Sequence, residues 1–237
     1  HFMQTPSLAT IMAAKLGMTA PAAFDISAAC AGFCYGVGIA EGLVRAGTAK
    51  HVLVLGVEVL SRYTNLEDRS TAFLFADGAG AVVIGPSDEP AIGPTVWGSK
   101  PEAHEVIEID DWRTIEADGH PYIHMNGQEV FKWATGSIVE KAVEALDASG
   151  LTPEELDCFI PHQANNRITD SMLRHLKLPK DVVVGRDIIQ MGNSSAASVP
   201  LAMEALLESG QAKSGDSALI IGFGAGLVFA GQTVILP

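Results

Sequence analysis

The sequence predicts an α/β fold made of two related halves, and three observations lead there. Short apolar runs such as "HVLVLGV" (51–57) and "SALIIGF" (217–223) alternate with stretches of helical periodicity, the pattern of buried strands flanked by helices. Twenty-four glycines, many beside apolar runs, supply the tight turns such an architecture needs. The order of elements also repeats. An offset of 163 residues carries Cys30 to Asn193, Gly47 to Gly210 and Lys50 to Lys213.

In chain order, the first half reads as a helix over 8–16, a strand over 23–26, Cys30, and a helix over 35–45. Gly47, the strand 51–57 and the closing "DGAGAVVIG" (77–85) complete it. The second half opens with one helix over "FKWATGSIVEKAVEALDASG" (131–150) and a strand, "LDCFIPH" (156–162). A helix over 168–176, a strand "VVVGRDI" (182–188), Asn193 and a helix over 200–207 follow. Gly210, the strand 217–223 and "GFGAGLVFAGQTVIL" (222–236) end it. These boundaries divide the chain into 1–90, an inter-half region 91–130, and 131–237. The opening helix and strand of the second half have no counterpart in the first. An offset of 160 there sets Met172 on Met12 and His162 on Phe2, so the first half is expected to lack its first elements at the N-terminus.

Composition excludes several classes. With 48% hydrophobic and 18% charged residues, the 237-residue chain can bury a sizeable core. A net charge of −13 argues against general nucleic-acid binding. No apolar run has the length of a membrane span and no signal peptide opens the chain, so a cytoplasmic protein without membrane attachment is expected. Three cysteines make no disulfide framework and no Cys/His group has zinc spacing, so no metal is expected. "GFGAG" (222–226) is followed by a strand-like run rather than a helix, which favours a turn between strands over a dinucleotide loop.

Three residues stand out chemically. Cys30 and Asn193 each fall where a core strand gives way to a helix, and the repeat makes them equivalent. Unpaired N–H groups and a partial positive charge at a helix start favour a thiolate there. A lone cysteine is more often buried and inert, and Cys34 and Cys158 keep that reading. His162 follows an apolar strand, at the end where loops converge in open α/β sheets. The histidines at 1, 51, 104, 120, 124 and 175 read as surface or capping residues. Cys, His and Asn on three loops at one end of a duplicated fold point to thioester chemistry.

The motifs "DISAACAGFCYG", "FLFADGAGAVV", "PHQANNRI", "GNSSAAS" and "GFGAG", in this order and spacing, resemble the β-ketoacyl-[acyl-carrier-protein] synthase III family along the whole chain. "HFMQTP" and "LVFAGQTVILP" most resemble its actinobacterial branch. The resemblance implies a thiolase-like fold, two pseudo-symmetric halves layered α/β/α/β/α, with the family's first quarter absent ahead of His1. It implies an acyltransferase that joins an acyl-CoA to malonyl-ACP through a Cys30 acyl-enzyme, using CoA thioester as substrate and no cofactor. His162 and Asn193 would stabilise the enolate left by decarboxylation, and the backbone N–H groups of Cys30 and Ala225 would form the oxyanion hole. Ala225 stands where many members have glycine, which leaves a backbone donor intact. Phe223 matches the aromatic residue beside the reacting carbons. Arg69, Gln128 (in place of a common asparagine), Phe131, Asn165 and Ile168 match positions lining the CoA tunnel. The residues that sandwich the adenine fall in the absent segment. Arg167 matches the carrier-protein docking arginine, with Lys132 and Arg174 as weaker partners. The resemblance further implies a homodimer in which Thr5 reaches the partner's acyl pocket; a small residue there favours branched or longer primers. A polyketide-priming synthase, a non-condensing acyltransferase of the same fold and an inactive fragment are the alternatives.

Overall fold

The computed structural model describes residues 5–116 and 119–237. Helix α1 (Leu8–Lys15) is held at its start from two directions. Ser7 Oγ accepts the Thr10 N–H, and the Asp25 carboxylate takes the N–H groups of Leu8 and Ala9 at 2.7 and 2.8 Å. These are the donors that a helix start leaves without partners. A 3-10 turn over Ala29–Ala31 leads into α2 (Gly32–Arg45), after which Gly47 takes a left-handed φ of +71°. Strand β1 (Val52–Val59) then pairs antiparallel with β2 (Asp77–Ile84), Val52 opposite Ile84.

The remaining elements are β3 (Val96–Ser99), β4 (Ile107–Ile109), β5 (Ile123–Met125), α3 (Gly127–Thr135), α4 (Ser137–Ala148) and β6 (Cys158–Pro161). After them come α5 (Asn166–Leu176), β7 (Val183–Val184), α6 (Ile188–Met191), α7 (Ser198–Glu208), β8 (Ser217–Gly224) and β9 (Val228–Ile235). Five strands form a mixed sheet in the order β3-β9-β8-β6-β7, with β6 parallel to both neighbours and β9 antiparallel to both of its own. Strand β8 is buried on both faces. Its Leu219, Ile221 and Phe223 pack with Ile138, Leu146 and Met172 of the helices α4 and α5. Its Ala218 and Ile220 pack with Phe33 and Val37 of α2 and Val199 and Ala202 of α7. Helices α2 and α7 therefore fill the layer between the five-stranded sheet and the β1–β2 pair. On the far side of β1, α1 lines a groove of about 900 Å³ with Leu53, Leu55 and Val57.

Four expectations change. Residues 23–26 join no ladder among the described residues, and Phe24 and Ile26 are 56% and 37% exposed: a strand needs a neighbour to bond. The helix expected over 131–150 starts earlier, on an Asn126 cap, and breaks at Gly136 (φ −108°, ψ −89°), where glycine gives helix geometry little support. The strand expected over 182–188 shrinks to two residues because the Gln163 side chain takes the Gly185 carbonyl at 3.0 Å, where a ladder would have continued.

The fourth concerns the repeat. Ala29 (φ +45°) and Ser195 (φ +51°) begin matching 3-10 turns, and Gly32 and Ser198 begin the helices that follow. At these turns the offset is 166 residues, so Ala196, not Asn193, is the counterpart of Cys30. Helix α2 has 14 residues against 11 in α7, and that difference restores the offset of 163 by Gly47 and Gly210. The new register is supported by two reciprocal contacts. A Cβ on Gly222 of β8 would lie 2.8 Å from the Ala31 Cα and 3.0 Å from the Cys30 carbonyl oxygen. A Cβ on Gly56 of β1 would lie 2.4 Å from the Ala196 carbonyl oxygen. Each half's turn rests on a glycine of a strand in the other half.

Candidate active site

Cys30 sits at the centre of its turn, above β8. Glycine is required beneath it: a Cβ at Gly224 would come within 2.7 Å of the Cys30 Cβ and 2.8 Å of its Sγ. The backbone N–H groups of Cys30 and Ala225 bear on the sulfur, and the Ser195 hydroxyl donates to it at 3.3 Å. Burial nevertheless outweighs these donors, helped by the like charge of Glu58, and pushes the thiol pKa up to about 11. The thiolate expected from the helix start is thus corrected to a resting thiol.

Asn193 is fixed by its main chain. Its N–H donates to the Leu74 carbonyl at 3.0 Å and its carbonyl accepts the Ala76 N–H at 2.9 Å, bridging it to the segment ahead of β2. Its Oδ1 accepts the Ser195 N–H at 3.0 Å, so the amide NH₂ is the end turned elsewhere. His162 leaves the end of β6 with its N–H on the Ile221 carbonyl at 2.7 Å. Its ring is buried, meets Phe223 edge-on at 5.3 Å, and has Nδ1 2.8 Å from Ser198 Oγ. Burial holds the imidazole neutral, lowering its pKa to about 3. At rest, then, Cys30 carries a neutral thiol and His162 a neutral imidazole.

The remaining predicted residues spread outward. Phe223 is 1% exposed, between His162 and Trp133. Ile168 lies in the core beside Met172, so its side chain packs under α5. Asn165 caps α5, its Oδ1 accepting the Ile168 N–H at 3.0 Å. Gln128 and Phe131 are exposed on α3, and Arg69 on the loop between β1 and β2. Arg167 and Arg174 are both exposed on α5, against which α3, carrying the exposed Lys132, packs. Thr5 is exposed just ahead of the α1 cap, and Phe2, set opposite His162 by the repeat, lies outside the described residues. Ser195, Ser198 and Gln163 were not singled out from sequence. The signal for the two serines is the run of small hydroxyl residues after Asn193, in "GNSSAAS".

Residues 24–101 match the family model for 3-oxoacyl-[acyl-carrier-protein] synthase III, and residues 146–236 match the model for its C-terminal part. The chain is 58% identical to the β-ketoacyl-[acyl-carrier-protein] synthase III of Streptomyces glaucescens, over 100% of its own length and 72% of that protein. The chain belongs to the β-ketoacyl-[acyl-carrier-protein] synthase III family. The mycobacterial synthase III of Mycobacterium avium is 48% identical over the same share of both chains. Among solved structures, the priming β-ketosynthase of the R1128 polyketide pathway superposes with a TM-score of 0.97 at 46% identity, covering 100% of this chain and 72% of its own. The synthase III of Thermus thermophilus gives 0.90 at 36% identity, over 99% and 74%. Membership of this family makes the chain a condensing acyltransferase with the thiolase-like α/β fold.

Proposed function

We propose that Cys30, His162 and Asn193 carry out the condensation of an acyl-CoA with malonyl-ACP. The observation that carries this reading is the hydrogen-bond chain from Asn193 through Ser195 to the Cys30 sulfur, over the cradle at Gly224. In the first half-reaction the Cys30 sulfur attacks the acyl carbonyl. The tetrahedral oxyanion faces the N–H groups of Cys30 and Ala225, and CoA leaves with the proton that the thiol gives up. In the second, malonyl-ACP loses carbon dioxide, and His162 and Asn193 donate to the thioester oxygen on which the enolate charge gathers. Ser198 Oγ accepts the Gln163 N–H at 3.2 Å and lies 2.8 Å from His162 Nδ1; in this reading the Ser198 hydroxyl donates to Nδ1, and Nε2 carries the ring proton. A neutral Nε2–H is a donor that keeps its proton. The enolate carbon then attacks the Cys30 thioester, releasing 3-oxoacyl-ACP and a Cys30 thiolate, which takes up a proton from water to restore the thiol.

Arg167 is the docking residue for the acidic carrier protein in this reading, supported by its exposure on α5. A homodimer is supported by the apolar groove beside β1 and the exposed Phe24 and Ile26 next to it. CoA thioester serves as substrate, no resident cofactor is needed, and the cytoplasm is the compartment; no described helix is long and apolar enough to cross a membrane. Thr5 favours longer or branched primers in the partner's pocket. The likeness to a priming ketosynthase supports polyketide priming as a second use of the same chemistry.

Dividing the half-reactions tests the assignment. Cys30→Ala is expected to abolish acyl-enzyme formation from labelled acetyl-CoA while retaining malonyl-ACP decarboxylation. His162→Ala and Asn193→Ala should keep acylation and lose decarboxylation, each removing a donor worth about 3 kcal/mol. Acetyl label on the Cys30→Ala protein would refute the nucleophile.

A further inference from the structure

We infer that the Ser195 hydroxyl is a built-in donor to the reacting sulfur, activating Cys30 for acylation, while the same residue's N–H aims Asn193 for the other half-reaction. The inference rests on the reading of Cys30 as nucleophile. Ser195 is 2% exposed, and its Oγ reaches across from the second half to the Cys30 Sγ at 3.3 Å. Its N–H holds the Asn193 Oδ1 at 3.0 Å. Its backbone lies at φ +51°, a left-handed conformation that a side chain makes costly. The equivalent turn in the first half is made with Ala29 at φ +45°, so the turn itself needs no hydroxyl. The hydroxyl at 195 is an addition to the turn, and it is directed at the one sulfur that reacts.

The chemistry calls for such a group. Burial holds His162 neutral, so its ring offers no positive charge to stabilise a thiolate. What lowers the cost of a thiolate is donors: the N–H groups of Cys30 and Ala225, and Ser195, which acts against burial more strongly than either of them. During attack the two N–H groups pass to the carbonyl oxygen of the acyl group. Ser195 is the donor left to the sulfur, both as it attacks and when it departs as leaving group in the condensation.

The test compares the purified chain with Ser195→Ala and Ser195→Gly, both of which retain the N–H to Asn193. Glycine also relieves the left-handed backbone, which separates loss of the hydroxyl from strain. Iodoacetamide alkylation of Cys30, located by peptide mass mapping, is followed against pH. Transfer of acetyl from acetyl-N-acetylcysteamine and decarboxylation of malonyl-ACP are measured in parallel. In both variants the alkylation midpoint should rise by about one pH unit and the rate at pH 8 fall about tenfold. Acetyl transfer should fall with it, and decarboxylation should stay within about twofold, because the donor to Asn193 survives. An unchanged midpoint in both variants overturns the inference, as does a loss of decarboxylation equal to that of acylation. A wild-type Cys30 that resists alkylation at every pH overturns the nucleophile reading and this inference together; a reactive Cys30 indifferent to position 195 overturns this inference alone.

Discussion

At the scale of single residues, His162 ties the chemistry to stability. Its imidazole is neutral down to about pH 3 in the fold, whereas an unfolded histidine takes up a proton near 6.5. Between those values the unfolded chain binds the extra proton, so stability from this residue is complete above pH 6.5 and is lost as pH falls. At pH 5 the loss is roughly 2 kcal/mol, from 1.36 kcal/mol per pH unit. Urea unfolding of the wild type and of His162→Gln at pH 5 and 7.5 should show this difference in the wild type and its absence in the variant; parallel pH dependence in both would refute it. Histidine, cysteine and asparagine could be picked out from sequence because each reads as a junction residue after an apolar run, although in the structure only His162 directly follows a strand. Their protonation states could not. A helix start argues for a thiolate, and only the closeness of β8 and of Glu58 shows that burial prevails.

At the scale of elements, the fit between the Cys30 turn and β8 governs the site. Gly224 has φ 176°, an extended backbone open to any residue, so its side-chain restriction is purely a matter of space. Gly224→Ala should therefore leave the strand formed but displace the turn. We expect a stability loss of about 1–3 kcal/mol from overpacking and, if Cys30 shifts by about 1 Å, a fall in acetyl transfer on the order of a hundredfold. Thermal melting and acylation kinetics check the two separately; unchanged acylation would show that the turn yields at no cost. The strands 51–57 and 217–223 and the helices around them were readable because apolar period and glycine punctuation are local signals. The segment 23–26 and the tail of 182–188 were not, because strand formation depends on a neighbour and Gln163 lies far from Gly185 in sequence. For the same reason the repeat alone set Cys30 against Asn193: the extra length of α2 is invisible until both turns are seen.

At the scale of the whole molecule, each half supplies part of the other's interior. Phe33 and Val37 from the first half and Val199, Ala202 and Ile220 from the second share one core cluster. Each of the larger side chains among them is worth about 1.5–3 kcal/mol when buried. A chain divided between Asp88 and Glu89, in an exposed stretch ahead of β3, should yield pieces that co-purify when expressed together. The first piece alone should show no cooperative melt, and a sharp thermal transition from it would contradict this shared core. The reciprocal seats at Gly56 and Gly222 carry a further consequence for how a duplicated chain can diverge. A change at either glycine is felt first in the turn of the opposite half, so neither half can be altered there independently. The matching turns carry cysteine at 30 and alanine at 196, yet both seats are bare glycine. Reactivity is confined to one half while the mutual fit that bears it is shared by both.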